Sequence, residues 1–220
     1  MLWDWSYAFE ILPILAQASL VTVQATLLGF VLALILGLVF ALLRMARAPW
    51  IALPVSAFVE FIRSTPLLIQ IFFLYFVFPE FGVSLDAFTA GVIALGLHYG
   101  TYCAEVYRAG LDNVPRGQWE ASTALNLSPF HTFRDIIIPQ AIPPVVPALG
   151  NYFVALFKET PLLSAIAVLE LMQQAKILGS TTFRYIEPIT LVGLFFLVFS
   201  LVAAALIRMV ERRLNRIGAR

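Results

Sequence analysis

Five stretches of the chain run without a charged residue: 11–43, 64–79, 87–104, 136–157 and 188–207. A helix needs roughly 20 residues to cross about 30 Å of hydrocarbon, so the windows predict five membrane-spanning helices. Those at 64–79 and 87–104 are short. The apolar run 51–59 extends the first of these, and flanking Tyr and Phe or tilt extend the second. A sixth apolar piece, 162–169, is too short to cross; 162–174 reads as a short helix in or near the outer leaflet, followed by a polar turn at 179–182. Between the third and fourth windows the pattern changes, to WEASTALNLSPFHTFRDIIIPQ at 119–140. One short helix is expected over 116–125, stopped by Asn126, because Asn tolerates the left-handed conformation that ends helices. Ser128 as N-cap and Pro129 at the first helical position start another. Phe130, Phe133 and Ile137 give that second helix an apolar stripe. The fold class is therefore all-α, a polytopic membrane domain over 1–220 with a helix-turn-helix corner at 115–140.

Composition agrees with the windows. With 61% hydrophobic and 12% charged residues and a mean hydropathy of +0.91, the chain has too little polar surface for a soluble domain of this length. Basic residues orient it. If the first span runs inward, Arg44, Arg47, Arg108, Arg116, Arg134, Arg208, Arg212, Arg213, Arg216 and Arg220 all fall on the cytoplasmic side. Asp4, Glu10, Glu80, Asp86 and Glu187 fall outside, with Lys176 and Arg184 the basic residues there. The N-terminus is then external, and the C-terminus and the 115–140 corner are cytoplasmic. The start, MLWDWSYAFE, lacks the basic region of a cleaved signal peptide. Cys103, the single cysteine, excludes an intramolecular disulfide and reads as a small core residue. A net charge of +1 suggests no nucleic-acid partner.

Charges near or inside spans cost roughly 2.5–3.5 kcal/mol on insertion scales and are candidates for function. Glu60 and Arg63, three apart, are either a snorkelling ion pair or part of a solute path. His98 and Glu105 lie two turns apart on one helix face, which suits interior hydrogen bonding or a pore lining; too few ligands accompany them for a metal. Asn151 and Tyr152 are further candidates for a cavity wall. Lys158 and Glu159 end the fourth window where Pro161 is expected to break the helix after Thr160. Counted from an inner start at Ile142, Lys158 falls about 24 Å along, in the outer half of the membrane. The two charges are read either as contacts for a zwitterionic solute or as a mutual salt bridge. RSTPLL at 63–68 and KETPLL at 158–163 share a basic residue, Thr, Pro and two Leu. Proline-interrupted segments at corresponding positions point to a translocation path.

The run GQWEASTALNLSPFHTFRDIIIPQAIPPVVPALGNYF resembles the EAA loop of ABC-importer permeases. Its Glu-Ala-Ala is represented by Glu120, Ala121 and Ser122, its Gly by Asn126, and its ending by Ile136, Ile138 and Pro139. VTVQATLLGF, FIRSTPLLIQIFFLYFVFP, YCAEVYRAGLDNVPRGQWEAS and NYFVALFKETPLLSAIA extend the likeness to polar amino acid permeases of the histidine, glutamine and arginine type. HYGTYCAEVYRAGLDNVPRGQWEAS, ALNLSP and FKETPLLSAIAVLELM look most like permeases for ectoine and hydroxyectoine. The resemblance implies a type I importer permease in a bacterial inner membrane, not itself an enzyme and without a cofactor. It implies three protein partners: a second permease, identical or related; a pair of ATP-binding subunits; and an external solute-binding protein. Glu120, Ala121, Ser122, Asn126, Leu127 and Ser128 would couple to the ATPase, with Glu120 anchoring it from near the positive N-terminal end of its helix. Glu60, Arg63, His98, Glu105, Asn151, Lys158, Glu159 and Thr160 would line the solute path. The chain has no G-x-x-x-x-G-K-[ST] loop of its own. The competing reading is an ion-coupled secondary transporter of a small zwitterion, using Glu60, Glu105 or Glu159 for the ion; a structural membrane subunit ranks third.

Overall fold

The computed structural model describes residues 3–218, with side chains through Arg213. Arg220 and the side chain of Arg216, two of the orienting cations, lie outside the described residues. Every regular element among the described residues is helical. In order these are α1 (Trp5–Arg44), α2 (Pro49–Arg63), α3 (Leu67–Phe72, running on as a π turn and a 3₁₀ turn to Phe81) and α4 (Ala87–Asp112). Then come α5 (Arg116–Ala124), α6 (Pro129–His131, widening into a π turn over Thr132–Ile137) and α7 (Ile138–Glu159, tightening into a 3₁₀ turn over Thr160–Ile166). The last two are α8 (Leu171–Thr182) and α9 (Ile186–Gly218).

α1 and α4 form the spine. Between helices in lipid there is no hydrophobic drive, so small residues that admit close backbone approach do the joining. A Cβ added to Gly37 would stand 2.6 Å from the Cys103 Cβ and 3.0 Å from the Gly100 carbonyl oxygen. Ala33 of α1, Leu95 of α4, Leu156 of α7, Ile71 of α3 and Leu163 of the 3₁₀ turn share one buried core. Ile11 and Leu15 of α1 close a second core with Leu171, Ala175 and Val192. In that corner the fully buried Glu170 caps α8, accepting from the Met172 and Gln173 N–H groups at 2.9 and 2.8 Å. Burial pushes its carboxyl up to about 7 against those two bonds.

Three helices have the length and apolarity to cross a membrane: α1, the continuous run Pro129–Ile166, and α9 as far as Arg213. α2 and Leu67–Phe81 qualify jointly as a fourth, but they meet at 106°. The apolar run 51–59 thus adds length to the next window only across a sharp bend, as a separate helix. α4 is long enough at 26 residues. It falls short in apolarity because neighbours surround it, burying Ala90, Gly96, His98 and Cys103.

Pro161 ends the α-helix at Glu159, as expected, but does not interrupt the run of helical turns. A proline at 161 cannot donate to the carbonyl of residue 157. The Thr160 hydroxyl does so instead, at 2.8 Å, and the chain continues as a 3₁₀ turn. That run stops at Ala167, which takes φ 58°.

Candidate functional site

The corner after α4 is built from local hydrogen bonds. α5 closes in a Schellman motif: the Asn126 N–H reaches the Thr123 carbonyl at 2.9 Å, and the Leu127 N–H reaches that of Ser122 at 3.1 Å. Asn126 takes φ 54°, a conformation Asn tolerates better than most residues. Ser128 then caps α6, its hydroxyl accepting from the His131 N–H at 3.4 Å. Ser122 is buried and donates its hydroxyl to the Gln118 carbonyl at 2.7 Å, so its small size is used for packing. Ala121, Leu127 and Ser128 are exposed.

Two expectations about the corner need correction. Glu120 is the fifth residue of a nine-residue helix and beyond its first turn, so the helix dipole has little hold on it. It is exposed and enters no ion pair among the described residues. The stripe Phe130, Phe133, Ile137 is not one buried face. The π turn rotates the register, so Ile137 is fully buried with Val114 and Ala141, Phe133 meets Trp119 edge-on at 5.2 Å, and Phe130 is 65% exposed. Leu125, at 71%, is exposed beside it. The corner thus has a small core of its own and an apolar tip.

The candidate path residues divide into two groups, because residues seven apart on α7 share a face and consecutive residues do not. Asn151 and Lys158 open onto a furrow of about 440 Å³ against α9, which Arg208 and Glu211 also line. Tyr152 and Glu159 face α4. No ion pair joins Lys158 to Glu159 among the described residues, so the mutual salt bridge is not formed. Thr160 is fully buried with its hydroxyl engaged on Phe157.

Packing places these residues along the bundle. Leu156 packs on Gly29 and Phe153 meets Phe30 at 5.1 Å, near the midpoint of the uncharged window 11–43. Lys158 and Glu159 therefore sit near mid-bundle. Ala141 and Val145 pack on Gly110, beyond Arg108, so α7 begins at the charged end of the bundle.

Glu105 is the hub of the α4-facing group. Its Oε1 takes Arg44 at 2.7 Å and Arg63 at 3.2 Å, and its Oε2 takes Arg108 at 2.8 Å. Glu60 is peripheral, 70% exposed and 3.7 Å from Arg63. The Arg63 guanidinium also lies 5.2 Å from the centroid of the Tyr102 ring. Tyr102 leads to Tyr152 at 5.5 Å, Tyr152 to Tyr99 at 6.2 Å, and Glu159 lies beside Tyr99. At the two ends of this tyrosine patch, Arg63 Nε and Glu159 Oε2 are buried with no hydrogen-bond partner among the described residues. One end offers a cationic donor and the other an anionic acceptor.

His98 does not join Glu105. Its Nδ1 stands 3.2 Å from Gln70 Oε1, inside the bundle. Sequence reasoning missed Gln70, Tyr99 and Tyr102, and treated Arg44 as an orienting charge only. Arg44 meets its partner 61 positions away, a pairing that no local spacing announces. No group of three or more His, Cys, Asp or Glu suited to a metal ion occurs among the described residues.

Residues 29–216 match the family described as binding-protein-dependent transport system inner membrane component. A probable amino-acid ABC transporter permease protein of Sinorhizobium fredii is 47% identical over 215 residues, covering 98% of this chain and 93% of that protein. The L-cystine transport system permease protein of Bacillus subtilis is 37% identical over 213 residues, covering 94% and 89%. Among solved structures, a chain from the crystal structure of an amino acid ABC transporter with histidines is 37% identical with a TM-score of 0.91, covering 97% of this chain and all of that one.

Proposed function

Because the chain belongs to the binding-protein-dependent transport system inner membrane component family, we propose that it is the permease subunit of a bacterial amino-acid ABC importer. ATP is hydrolysed on partner subunits, and the chain supplies the path and the mechanical contact. Membership leaves no reason to invoke the ion-coupled alternative. The five-span count and the external N-terminus belong to this proposal, with the charge asymmetry as their support.

The corner at 115–140 is the contact for the ATP-binding pair. Its tip, Leu125, Leu127 and Phe130, is exposed and apolar, and Glu120 stands on the same short helix as a free anion. A second permease covers the α7–α9 furrow, because Lys158 and Asn151 at mid-bundle are too costly to leave against hydrocarbon. An external binding protein delivers the solute.

The observation that carries the solute reading is the pair of unpartnered atoms, Arg63 Nε and Glu159 Oε2. A buried polar group left unsatisfied costs about 1–3 kcal/mol, more when charged. A zwitterion whose opposite charges span the tyrosine patch relieves both, its carboxylate on Arg63 and its ammonium or amidinium on Glu159, with tyrosine rings between. This replaces Lys158 with Arg63 as the carboxylate's partner. The solute class is a polar amino acid; the finer reading, ectoine or hydroxyectoine, rests on sequence wording alone.

Uptake of radiolabelled L-histidine, L-cystine and ectoine into cells expressing the whole complex tests both levels. Arg63→Met and Glu159→Gln are each expected to raise KM at least ~10-fold for whichever is taken up, the loss of a charged hydrogen bond worth about 1.5–3 kcal/mol. Unchanged KM in both variants removes the site. Failure of the complex to take up any amino acid removes the amino-acid reading.

A further inference from the structure

The two Thr-Pro steps remove the same helical donor, and each freed carbonyl keeps the backbone N–H of its threonine, Thr65 on Ile62 at 3.3 Å and Thr160 on Phe157. Pro66 cannot serve Ile62, and Pro161 cannot serve Phe157. In each case the preceding threonine donates its hydroxyl as well, Thr65 to Ile62 at 3.0 Å and Thr160 to Phe157 at 2.8 Å. The local repair is the same, yet one chain turns through 106° and the other runs on.

Gln70 accounts for the difference. Buried at 8% exposure, it shares its amide N–H groups among the Ile62 carbonyl at 2.7 Å, the Thr65 hydroxyl at 2.9 Å and the Thr65 carbonyl at 3.1 Å. The place matching Gln70 after the second step is Ala165, which has nothing to donate. With its nitrogen so committed, Gln70 presents Oε1 to His98, and the network assigns the donor hydrogen to His98 Nδ1. The bend is thereby tied to α4, the helix that carries Tyr99, Tyr102 and Glu105. Arg63 sits within the bend itself.

We propose that Gln70, held by His98, is a positioning residue: it fixes the angle between α2 and α3 and so aims Arg63 at Glu105 and across Tyr102. The proposal rests on the reading of Arg63 as a solute contact. Without the amide, the two helices rejoin towards a straighter kinked span and Arg63 swings off α4.

The test uses the complete complex in lipid nanodiscs, spin-labelled at the exposed Phe58 of α2 and Phe76 beyond α3. Gln70→Leu, which keeps the bulk and removes every hydrogen bond, is expected to lengthen and broaden the label distance. In uptake of L-histidine and L-cystine it is expected to raise KM about 10-fold with kcat within about 2-fold, the signature of lost ground-state binding. That KM effect is expected to vanish in an Arg63→Met background. His98→Leu is expected to fall between Gln70→Leu and the parent. If Gln70→Leu does not assemble, Gln70→Glu, which keeps the acceptor for His98 and loses the donated bonds, gives the same distance reading. An unchanged label distance overturns the positioning role. A changed distance with unchanged KM keeps Gln70 as the lock on the bend and overturns Arg63 as the solute contact.

Discussion

The turn at Asn126 and the bend before Pro66 both redirect the chain sharply, but they are held at very different ranges. Asn126 is fixed by bonds to Thr123 and Ser122 within five residues, and by the Ser128 cap that follows. The bend before Pro66 is fixed by Gln70 and, through it, by His98, 28 positions further on. A turn closed by its own neighbours keeps its shape when the surrounding helices move. A bend chained to another helix changes when that helix does. The stiff element faces the proposed ATPase and the adjustable one faces the proposed solute path, which suits a device that transmits force at one end and responds to a ligand at the other.

The largest effect is expected where the stiff turn is broken. Asn126→Val places a β-branched side chain at φ 54°, adding roughly 1–2 kcal/mol of local strain that the surrounding bonds do not offset. Solute-stimulated ATP hydrolysis should be lost while membrane insertion persists, and Asn126→Gly should retain it. Equal activity in both variants would sink the stiff-corner account.

A middle-sized effect separates the two Thr-Pro steps. Thr160→Val takes the side-chain donor from the Phe157 carbonyl and leaves it the Thr160 N–H alone, a loss of about 0.5–1.5 kcal/mol. Thr65→Val should cost less, because Gln70 still serves Ile62. Thermal unfolding of the detergent-solubilised complex orders the two, and the reverse order would refute the assigned role of Gln70.

A pH-dependent contrast belongs to Glu170, a cap as local as that of Ser128 but dry. Its folded pKa, about 7, lies above the ordinary 4.5, so between those values the folded state binds more protons than the unfolded one. Its contribution is complete below pH 4.5, is lost as pH rises to about 7, and is constant above. Glu170→Gln should flatten that part of the stability profile, and an unaltered slope would assign it to another group.

What the sequence made legible follows the same division of range. The stop at Asn126, the Ser128-Pro129 restart and the uncharged windows depend on neighbours or on periodicity, and both are written locally. The Arg44–Glu105–Arg63 hub and the Gln70–His98 tie are tertiary contacts between helices, which no spacing encodes. Pro161 ends its α-helix as its missing N–H dictates, and what the local rule does not give is the 3₁₀ turn beyond, which the Thr160 hydroxyl supports. The register of Phe130 and Phe133 misled because a π turn has a different period from the α-helix.

The furrow between α7 and α9 also bears on how the chain is made. Synthesis runs from the N-terminus, so α7 leaves the ribosome before its neighbour exists. Lys158 and Asn151 then meet lipid at a cost of a few kcal/mol, and only the final helix, with Arg208 and Glu211, closes one flank of that seam. A chain truncated before α9, or one never joined by its partner, keeps a polar stripe in contact with hydrocarbon. The polar face of α7 is thus completed late, only once α9 has packed against it.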